Sequence, residues 1–230
     1  MQFRHSEQIW ADFPELVAGA IFIDGVDGRA DVSERIASLT NRAMSRLDSG
    51  AESDLPEIQA WRRTFSKMGL KPTQYRCASE SLLRRLRKEA SLPTIHPVID
   101  LCNAFSVAYA IPVAVFDTSK IEGDLVVRRA TGSEVYEAFA GDIELPEPDE
   151  VIFADGAERA HARRWVNRQS ACSAVSPRTT SILVVAEAMH STAVEDVPHL
   201  IEELSIDFRA NWDVQLHASI LTPDSPSIAR

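Results

Sequence analysis

The sequence contains few cysteines and few glycines, and both shortages exclude kinds of chemistry. Three cysteines, an odd number at irregular spacing, predict a reducing compartment and no disulfide framework. No CxxC or HxxxH pair occurs, and none of the nine glycines forms a phosphate-binding GxGxxG or GxxxxGK loop. We therefore expect no metal site, no cofactor and no nucleotide-driven reaction.

Long apolar segments are also missing. No apolar run approaches the roughly 20 residues that span a bilayer, and residues 1–16 lack the continuous apolar core of a secretion signal. Hydrophobic content of 45% and charged content of 25% are typical of a globular protein in water. These features predict a cytoplasmic protein that does not associate with a membrane.

The charge is unevenly distributed. A net charge of −10 argues against nucleic-acid binding, because Lys and Arg carry most phosphate contacts. However, residues 62–88 contain nine basic residues and one acid, and residues 159–178 contain five arginines and no acid. This clustering predicts a local positive face on an acidic protein. The alternative for the first cluster is an ordinary solvated helix face.

Residues 93–117 contain the longest apolar stretch and carry one polar residue inside it, Asn103. Apolar residues recur every three and four positions over 98–107, which predicts a helix that ends before Pro112 and leads into a short buried strand. If helix and strand pack face to face, Asn103 forms part of a pocket wall. The alternative is that Asn103 caps or cross-links local backbone.

Periodicity and turn residues predict the other elements. Helices are predicted at 31–47, 58–68, 79–90 and 193–211, with a helical turn at 133–139. Strands are predicted at 20–24, 125–130, 151–154, 161–169 (or its exit loop), 182–189 and 214–221, and a frayed tail at 222–230. Helices and strands in this irregular order indicate an α+β fold with a mixed sheet and surrounding helices.

Glu187 is an acid inside an apolar strand. A buried carboxylate without a partner is costly, so Glu187 must be paired, protonated or facing a cavity. A cavity with water is the simplest interpretation, and an ion pair with an arginine of 159–178 is the alternative. Nearby, Arg163, Arg164 and Arg168 surround Trp165, a combination that can hold a phosphate or stack a base, unless Trp165 packs in the core.

Several segments together resemble, in order and spacing, the B3/B4 domain of the phenylalanyl-tRNA synthetase β subunit and its freestanding homologues. The similarity covers residues 61–189 and rests on WRRTFSKMGLKPTQYRCASESLLRR, LPTIHPVIDLCNAFSVAYAIPVAVFD, IEGDLVVRRATGSE, VIFADG, ARRWVNRQ and TTSILVVAEAM. The resemblance implies a single α+β domain over 1–230, with residues 15–50 and 192–222 packed on the core.

The resemblance also implies an activity and its residues. The synthetase domain hydrolyses tyrosine esterified to the phenylalanine tRNA, so a freestanding relative is expected to edit mischarged aminoacyl-tRNA in trans. Its asparagine in D-x-x-N matches Asn103, and its late glutamate matches Glu187 when a small gap is allowed. These two are the expected catalytic residues. The expected substrate-binding residues are Arg168, Arg164, Trp165, Ala114 and Arg76.

Two departures from the family pattern bear on this expectation. Ala114 stands where the synthetase has an editing-site histidine, and RRWVNRQ replaces its glycine-rich loop. The six histidines of the chain are scattered, and no Ser/His/Asp or Cys/His order is evident among them. Either other groups position the water, or the specificity differs, or hydrolysis is lost.

The expected partners are therefore an aminoacylated tRNA 3′ end and its amino-acid moiety, with no DNA and no membrane. The alternative is a non-catalytic module that binds an amino acid, a small metabolite or a tRNA end. A third alternative is a scaffold whose pocket is filled by packing. Convergence of Asn103, Glu187 and Arg168 on one cavity would favour the first interpretation.

Overall fold

A computed structural model describes residues 1–230 and contains six α-helices and twelve β-strands. The helices are α1 (Glu7–Asp12), α2 (Ser33–Leu47), α3 (Pro56–Lys67), α4 (Ala78–Glu89), α5 (Pro97–Tyr109) and α6 (Ala193–Asn211). The strands are β1 (Gln2–His5), β2 (Val17–Asp24), β3 (Val113–Asp117), β4 (Leu125–Arg129), β5 (Tyr136–Glu137), β6 (Ile143–Glu144), β7 (Val151–Ala154), β8 (Ala160–Arg163), β9 (Arg168–Gln169), β10 (Ser181–Ala188), β11 (Gln215–Leu221) and β12 (Ser227–Ala229). The fold is α+β, as the sequence predicts.

The strands form two main sheets. Sheet one has the order β12-β1-β4-β7-β8-β9, and sheet two has the order β11-β2-β10-β3. All neighbours are antiparallel except β1 and β4, which run parallel. Strands β5 and β6 form a separate two-stranded ribbon. Strand β3 is consequently one edge of sheet two, and β9 is one edge of sheet one.

Sheet two separates two hydrophobic cores. On β10, Leu183 and Val185 belong to the core shared with Phe153 of sheet one. Their neighbours on β10, Ile182 and Val184, belong to the core shared with α5 and α6. Successive strand residues point to opposite faces, so sheet one covers one face of sheet two and helices α5 and α6 cover the other.

The predicted helices agree with the structure to within two residues at each end. Apolar periodicity is strong in these segments, and Gly69, with φ of +77°, follows the end of α3 as a residue suited to the left-handed region. Helix α5 ends at Tyr109, three residues before Pro112. Strand β2 begins three residues earlier than predicted, at Val17.

Two predicted segments differ from the structure, and one observed strand was not predicted. Residues 133–139 contain strand β5 rather than a helical turn, because Glu134 accepts the backbone N–H groups of Thr131 and Gly132 and forms a turn. The predicted frayed tail includes β12, which pairs with β1. Strand β1 itself was not predicted, because the pattern of its four residues is too short to be distinguished from a loop.

The buried Glu134 makes stability depend on pH in the acid range. Burial alone would raise the pKa of Glu134, but hydrogen bonds from the Thr131 backbone and the Arg128 guanidinium outweigh it and lower the pKa to about 2. A lowered pKa stabilises the fold above the unfolded value of about 4.3, and this contribution disappears as the pH falls towards 2. We expect Glu134→Gln to lower the free energy of unfolding at pH 7 by about 3 kcal/mol and to have little effect near pH 2. Urea titrations at both pH values measure this, and an equal loss at both would contradict it.

Candidate functional site

A cavity lies where the edge strands of the two sheets meet. Its volume is about 60 Å³, and we call it the inter-sheet cavity. The lining residues come from β3 and the residue before it, from β7, β8, β9 and β10, from the turn between β8 and β9, and from the first residue of α4: Ala78, Pro112, Val113, Ala114, Phe153, Ala162, Trp165, Val166, Asn167, Arg168, Gln169, Val185 and Glu187. Apolar side chains form most of the wall, and Glu187 is the only carboxylate in it.

Glu187 is held by two hydrogen bonds to one of its two carboxylate oxygens. Its Oε1 lies 2.6 Å from His5 Nε2 and accepts the indole N–H of Trp165 at 2.9 Å. The other oxygen, Oε2, has no hydrogen-bond partner in the protein and is not enclosed by protein atoms. Since Glu187 is only 2% exposed and lines the inter-sheet cavity, Oε2 is the oxygen available to a molecule there.

The turn between β8 and β9 places Trp165 under this carboxylate. Arg164 and Trp165 both have left-handed backbone conformations, with φ of +47° and +60°, which cost about 1–2 kcal/mol each for residues other than glycine. The Arg164 N–H donates to Glu150 Oε1 at 3.0 Å, and the Trp165 N–H donates to the Val151 carbonyl at 2.7 Å. These bonds hold the strained turn, which directs the indole N–H of Trp165 at Glu187.

The edge of β3 supplies backbone groups to the cavity. The Pro112 carbonyl accepts the Glu187 N–H of β10, whereas the Val115 carbonyl accepts the Gln169 side-chain amide at 2.5 Å. Backbone groups alternate in direction along an antiparallel strand, so the N–H of Val113 points to the same outer side as the Val115 carbonyl. Val113 lines the inter-sheet cavity, and its N–H is therefore a donor available there.

A larger groove of about 570 Å³ lies between α2 and residues 90–97. Its buried carboxylate, Asp100, already accepts the backbone N–H groups of Ile95 and His96 at 2.8 and 3.3 Å. The groove therefore has volume but no comparable free buried carboxylate. The inter-sheet cavity, although smaller, has the arrangement of groups that can act on a substrate.

Comparison with known proteins assigns the chain to a family. The family model of the B3/4 domain matches residues 60–202, more than half of the chain. The chain belongs to the B3/4 domain family. All residues of the inter-sheet cavity lie within the matched range.

Two individual relatives also match. The phenylalanine–tRNA ligase β subunit of Nitrobacter winogradskyi is 32% identical over 77 residues, which is 34% of this chain and 10% of that protein. This B3/4 protein thus spans a small part of the length of that relative. A crystal structure of an N-terminal fragment of the phenylalanyl-tRNA synthetase β subunit from Pyrococcus horikoshii matches with a TM-score of 0.49 and 9% identity, covering 93% of this chain and 49% of that one.

Four of the predicted site residues of this B3/4 domain lie around the inter-sheet cavity. These are Glu187, Trp165, Arg168 and Ala114. Ala114 and Glu187 project from the same face of sheet two, because Ala114 pairs with Val185 and Glu187 follows two residues later. The ion pair with an arginine, the alternative interpretation of Glu187, is not present, since His5 and Trp165 are its partners.

Asn103 does not line the inter-sheet cavity. It is a half-buried residue of α5, its side chain makes no hydrogen bond, and α5 packs on the face of sheet two opposite to Glu187. The expected convergence of three residues on one cavity is thus observed for Glu187 and Arg168 alone. The local cap or cross-link that was the alternative for Asn103 is also absent.

The arginines predicted to hold a phosphate have partners within the protein. Arg168 forms an ion pair with Glu144 at 3.1 Å, and this hydrogen bond raises the pKa of Arg168. The guanidinium of Arg164 lies over the Tyr75 ring, 4.6 Å from its centroid, and Arg76 pairs with Glu80 at 3.4 Å. Arg164 and Arg76 do not line the cavity, although the Arg76 carbonyl accepts the side-chain amide of Asn167 at its rim.

Trp165 is fully buried rather than displayed for stacking. It packs edge-on against Phe13 and Trp61, with ring centroids 4.9 and 5.3 Å away. Its role at the site is therefore to donate a hydrogen bond to Glu187 and to close the cavity wall. A nucleic-acid base has no access to the face of this ring.

His5 is the site residue that sequence reasoning missed. Its ring is fully buried, 2.6 Å from Glu187, and tilted against Trp10 with a centroid distance of 5.0 Å. The residues His5 and Glu187 are 182 positions apart in the chain, and the short strand β1 that carries His5 has no recognisable pattern. No signal in a single sequence joins them.

No helix combines the length and the apolar composition needed to cross a membrane. No group of three or more His, Cys, Asp or Glu side chains is arranged to hold a metal ion.

Proposed function

We propose that this protein hydrolyses the ester bond of mischarged aminoacyl-tRNA at the inter-sheet cavity. The observation that carries the proposal is Glu187, a buried residue that lines the inter-sheet cavity and whose Oε2 has no hydrogen-bond partner in the protein. Val113 of the edge strand β3 lines the same cavity. The relatives of this B3/4 domain are β subunits of a tRNA ligase, which supports a tRNA-related role.

In the proposed mechanism, Glu187 Oε2 orients a water molecule and takes its proton as the water attacks the ester carbonyl. General-base assistance by a positioned side chain contributes about 10²–10⁴ in rate. The hydrogen bonds from His5 and Trp165 hold the carboxylate so that Oε2 faces the cavity. His5 and Trp165 are positioning residues in this scheme.

The N–H of Val113 would stabilise the charge that develops on the carbonyl oxygen during attack. A backbone donor fixed on an edge strand is already oriented, so it can stabilise the transition state without rearrangement. The ribose hydroxyl of the tRNA leaves towards the rim, where Asn167 and Arg168 lie.

Cavity size limits the acyl group. Its volume of about 60 Å³ is well below the ~150 Å³ of a cavity that accommodates benzene. The wall of Ala114, Val185 and Phe153 is rigid, being part of two sheets and their core. We therefore propose small aliphatic aminoacyl groups as substrates rather than aromatic ones.

The tRNA would be held by exposed cations of residues 62–88. Five of the nine basic residues of 62–88 are paired with acids, so the positive face is smaller than the sequence suggests: Arg62, Arg76, Arg84, Arg85 and Arg87. Arg63, Lys71 and Lys88 are exposed and have no acidic partner. We propose that these three contact tRNA phosphates, so that binding weakens steeply with salt.

The decisive test is deacylation of a panel of mischarged tRNAs that carry small, branched and aromatic amino acids. We expect multiple turnover on the small aliphatic esters and rates near background on tyrosyl and phenylalanyl esters. If no ester is hydrolysed above background at any concentration of the protein, the proposed function is wrong.

Filling the inter-sheet cavity should block hydrolysis. We expect Ala114→Leu to lower the deacylation rate by about tenfold or more, because the added carbons occupy the space of the acyl group, at a stability cost of about 1–3 kcal/mol. The matched control is Ala37→Leu, which adds the same atoms beside the larger groove. Loss of activity in Ala37→Leu with normal activity in Ala114→Leu would place the reaction in the larger groove instead.

A module that binds a small molecule or a tRNA end without turnover is the second candidate. It is favoured by Ala114 at the position of the family histidine and by the ion pair that occupies Arg168. Saturable binding of a free amino acid, measured by calorimetry, together with no hydrolysis of any ester, would support it.

A further inference from the structure

A cysteine, a histidine and an aspartate form a chain of close contacts beside sheet one, separate from the inter-sheet cavity. The cysteine–histidine contact is a hydrogen bond, and the histidine–aspartate contact is at ion-pair distance without hydrogen-bond geometry. Cys172 Sγ lies 3.3 Å from His161 Nδ1, and His161 Nε2 lies 3.1 Å from Asp155 Oδ2. Asp155 Oδ2 also accepts the Arg159 guanidinium at 2.7 Å. None of these residues lines the inter-sheet cavity or contacts Glu187.

A thiol next to an imidazole, which is itself next to a carboxylate, is the arrangement of an activated thiol. The negative charge of Asp155, 3.1 Å from the imidazole, favours the protonated ring, and the imidazole can then hold the thiol proton. Asp155 is itself fixed, because its carboxylate accepts the backbone N–H groups of Glu122, Ala157 and Arg159. The geometry of the chain is thus set by the β7–β8 hairpin and not by a mobile surface side chain.

The charges around Cys172 favour the thiolate. Burial would raise the pKa of Cys172, but the hydrogen bond and positive charge of His161 outweigh it, and Arg159 also lowers this pKa. Burial would lower the pKa of His161, but Asp155 and Cys172 raise it. Lys120 adds a further cation, because its ammonium donates to the carbonyl of Ala174 at 2.7 Å. Two acids oppose these cations: Asp155 pairs with Arg159 and contacts His161, and Glu122 interacts with Arg159.

The other two cysteines lack these features. Cys77 and Cys102 are 0% and 1% exposed. Burial raises the pKa of Cys77 to about 11 and raises that of Cys102 further. Cys172, in contrast, is partly exposed, and its neighbours are basic. Partial exposure in an electropositive setting distinguishes reactive cysteines from structural ones.

We propose that Cys172 is a nucleophilic thiolate that reacts with hydroperoxides, activated by the His161–Asp155 pair. Cys172 lines none of the main cavities, which favours a small reactant over an acyl or peptide substrate. A half-buried cysteine can meet a small electrophile, and hydrogen peroxide is the smallest hydroperoxide.

The reaction balances with the groups present. The thiolate sulfur attacks one peroxide oxygen, the O–O bond breaks, and the sulfur is oxidised to a sulfenic acid while the peroxide is reduced. The departing hydroxide takes the proton from the His161 imidazolium and leaves as water. His161 returns to neutral imidazole beside Asp155.

The experiment is treatment of the folded protein with substoichiometric hydrogen peroxide in the presence of dimedone, followed by peptide mass spectrometry. We expect the dimedone adduct on Cys172 alone, formed about tenfold more slowly in His161→Asn than in the wild type. Cys172→Ser should form no adduct and should retain ester hydrolysis at the inter-sheet cavity, which separates this proposal from the proposed function.

A second measurement needs no variant. We expect the rate of Cys172 alkylation by iodoacetamide in the wild type to reach half its plateau clearly below the pH of about 8.5 at which free cysteine titrates. A midpoint at or above that value, or equal labelling of all three cysteines, would overturn the proposal even if His161→Asn failed to fold.

Discussion

Glu187→Gln is expected to lower the rate of ester hydrolysis by about a hundredfold or more while the fold is retained. The glutamine carbonyl oxygen can accept the same two hydrogen bonds from His5 and Trp165 that Oε1 accepts now. The NH₂ group would then replace Oε2 in the cavity. An amide cannot take a proton from water, so the general base is removed with the shape unchanged.

The measurement is single-turnover deacylation of the best substrate, with the free energy of unfolding determined in parallel. The matched control is Glu147→Gln, the same change at an exposed acid that does not line the cavity. A Glu187→Gln rate within threefold of the wild type would remove the carboxylate from the mechanism and leave only binding and orientation to explain hydrolysis.

Trp165→Ala is expected to destabilise the protein by about 3–5 kcal/mol, the cost of removing a buried aromatic side chain. Trp165 is 0% exposed and contacts Phe13 and Trp61, so the vacated space is surrounded by large rings that cannot collapse into it. The substitution also removes one of the two hydrogen bonds to Glu187. Urea unfolding followed by circular dichroism measures the loss.

Trp165→Phe separates packing from the hydrogen bond. It keeps an aromatic ring and removes the indole N–H, so we expect a smaller loss of about 1–3 kcal/mol together with reduced hydrolysis. Trp212→Phe is the control, because it removes an indole hydrogen bond to the Asp27 carbonyl far from the cavity. Equal activity in both phenylalanine variants would mean that Trp165 does not position Glu187.

The predicted elements agree better with the structure where the sequence pattern is longer. Helix α6, with 19 residues of sustained periodicity, was predicted with both boundaries correct. Strand β10 was predicted from a continuous apolar run, and the acid within it was singled out because burying a charge is costly. Strands β5 and β12, of two and three residues, were not predicted, because their pairing partners rather than their own residues define them.

The candidate site was also predicted only as far as local patterns reach. Glu187 stood out within its own strand, and Trp165 and Arg168 within a short local cluster. The placement of Asn103 depended on how α5 packs, and periodicity along one helix does not say which face of which sheet the helix covers. The chain of Cys172, His161 and Asp155 was also missed, since these residues are separated by up to 17 positions and meet through the β7–β8 hairpin and the turn after β9.

The sequence alone determined the α+β class, the main helices and strands, and the presence of one carboxylate that must have a special environment. These properties depend on local composition and on the cost of burying a charge, which act within a single element. Only the tertiary structure decided that His5 and Trp165 hold one oxygen of Glu187 and leave the other free, and that Asn103 lies behind the opposite face of the sheet. Both outcomes depend on which edges and faces pack together, and long-range packing is not encoded in the period of any one segment.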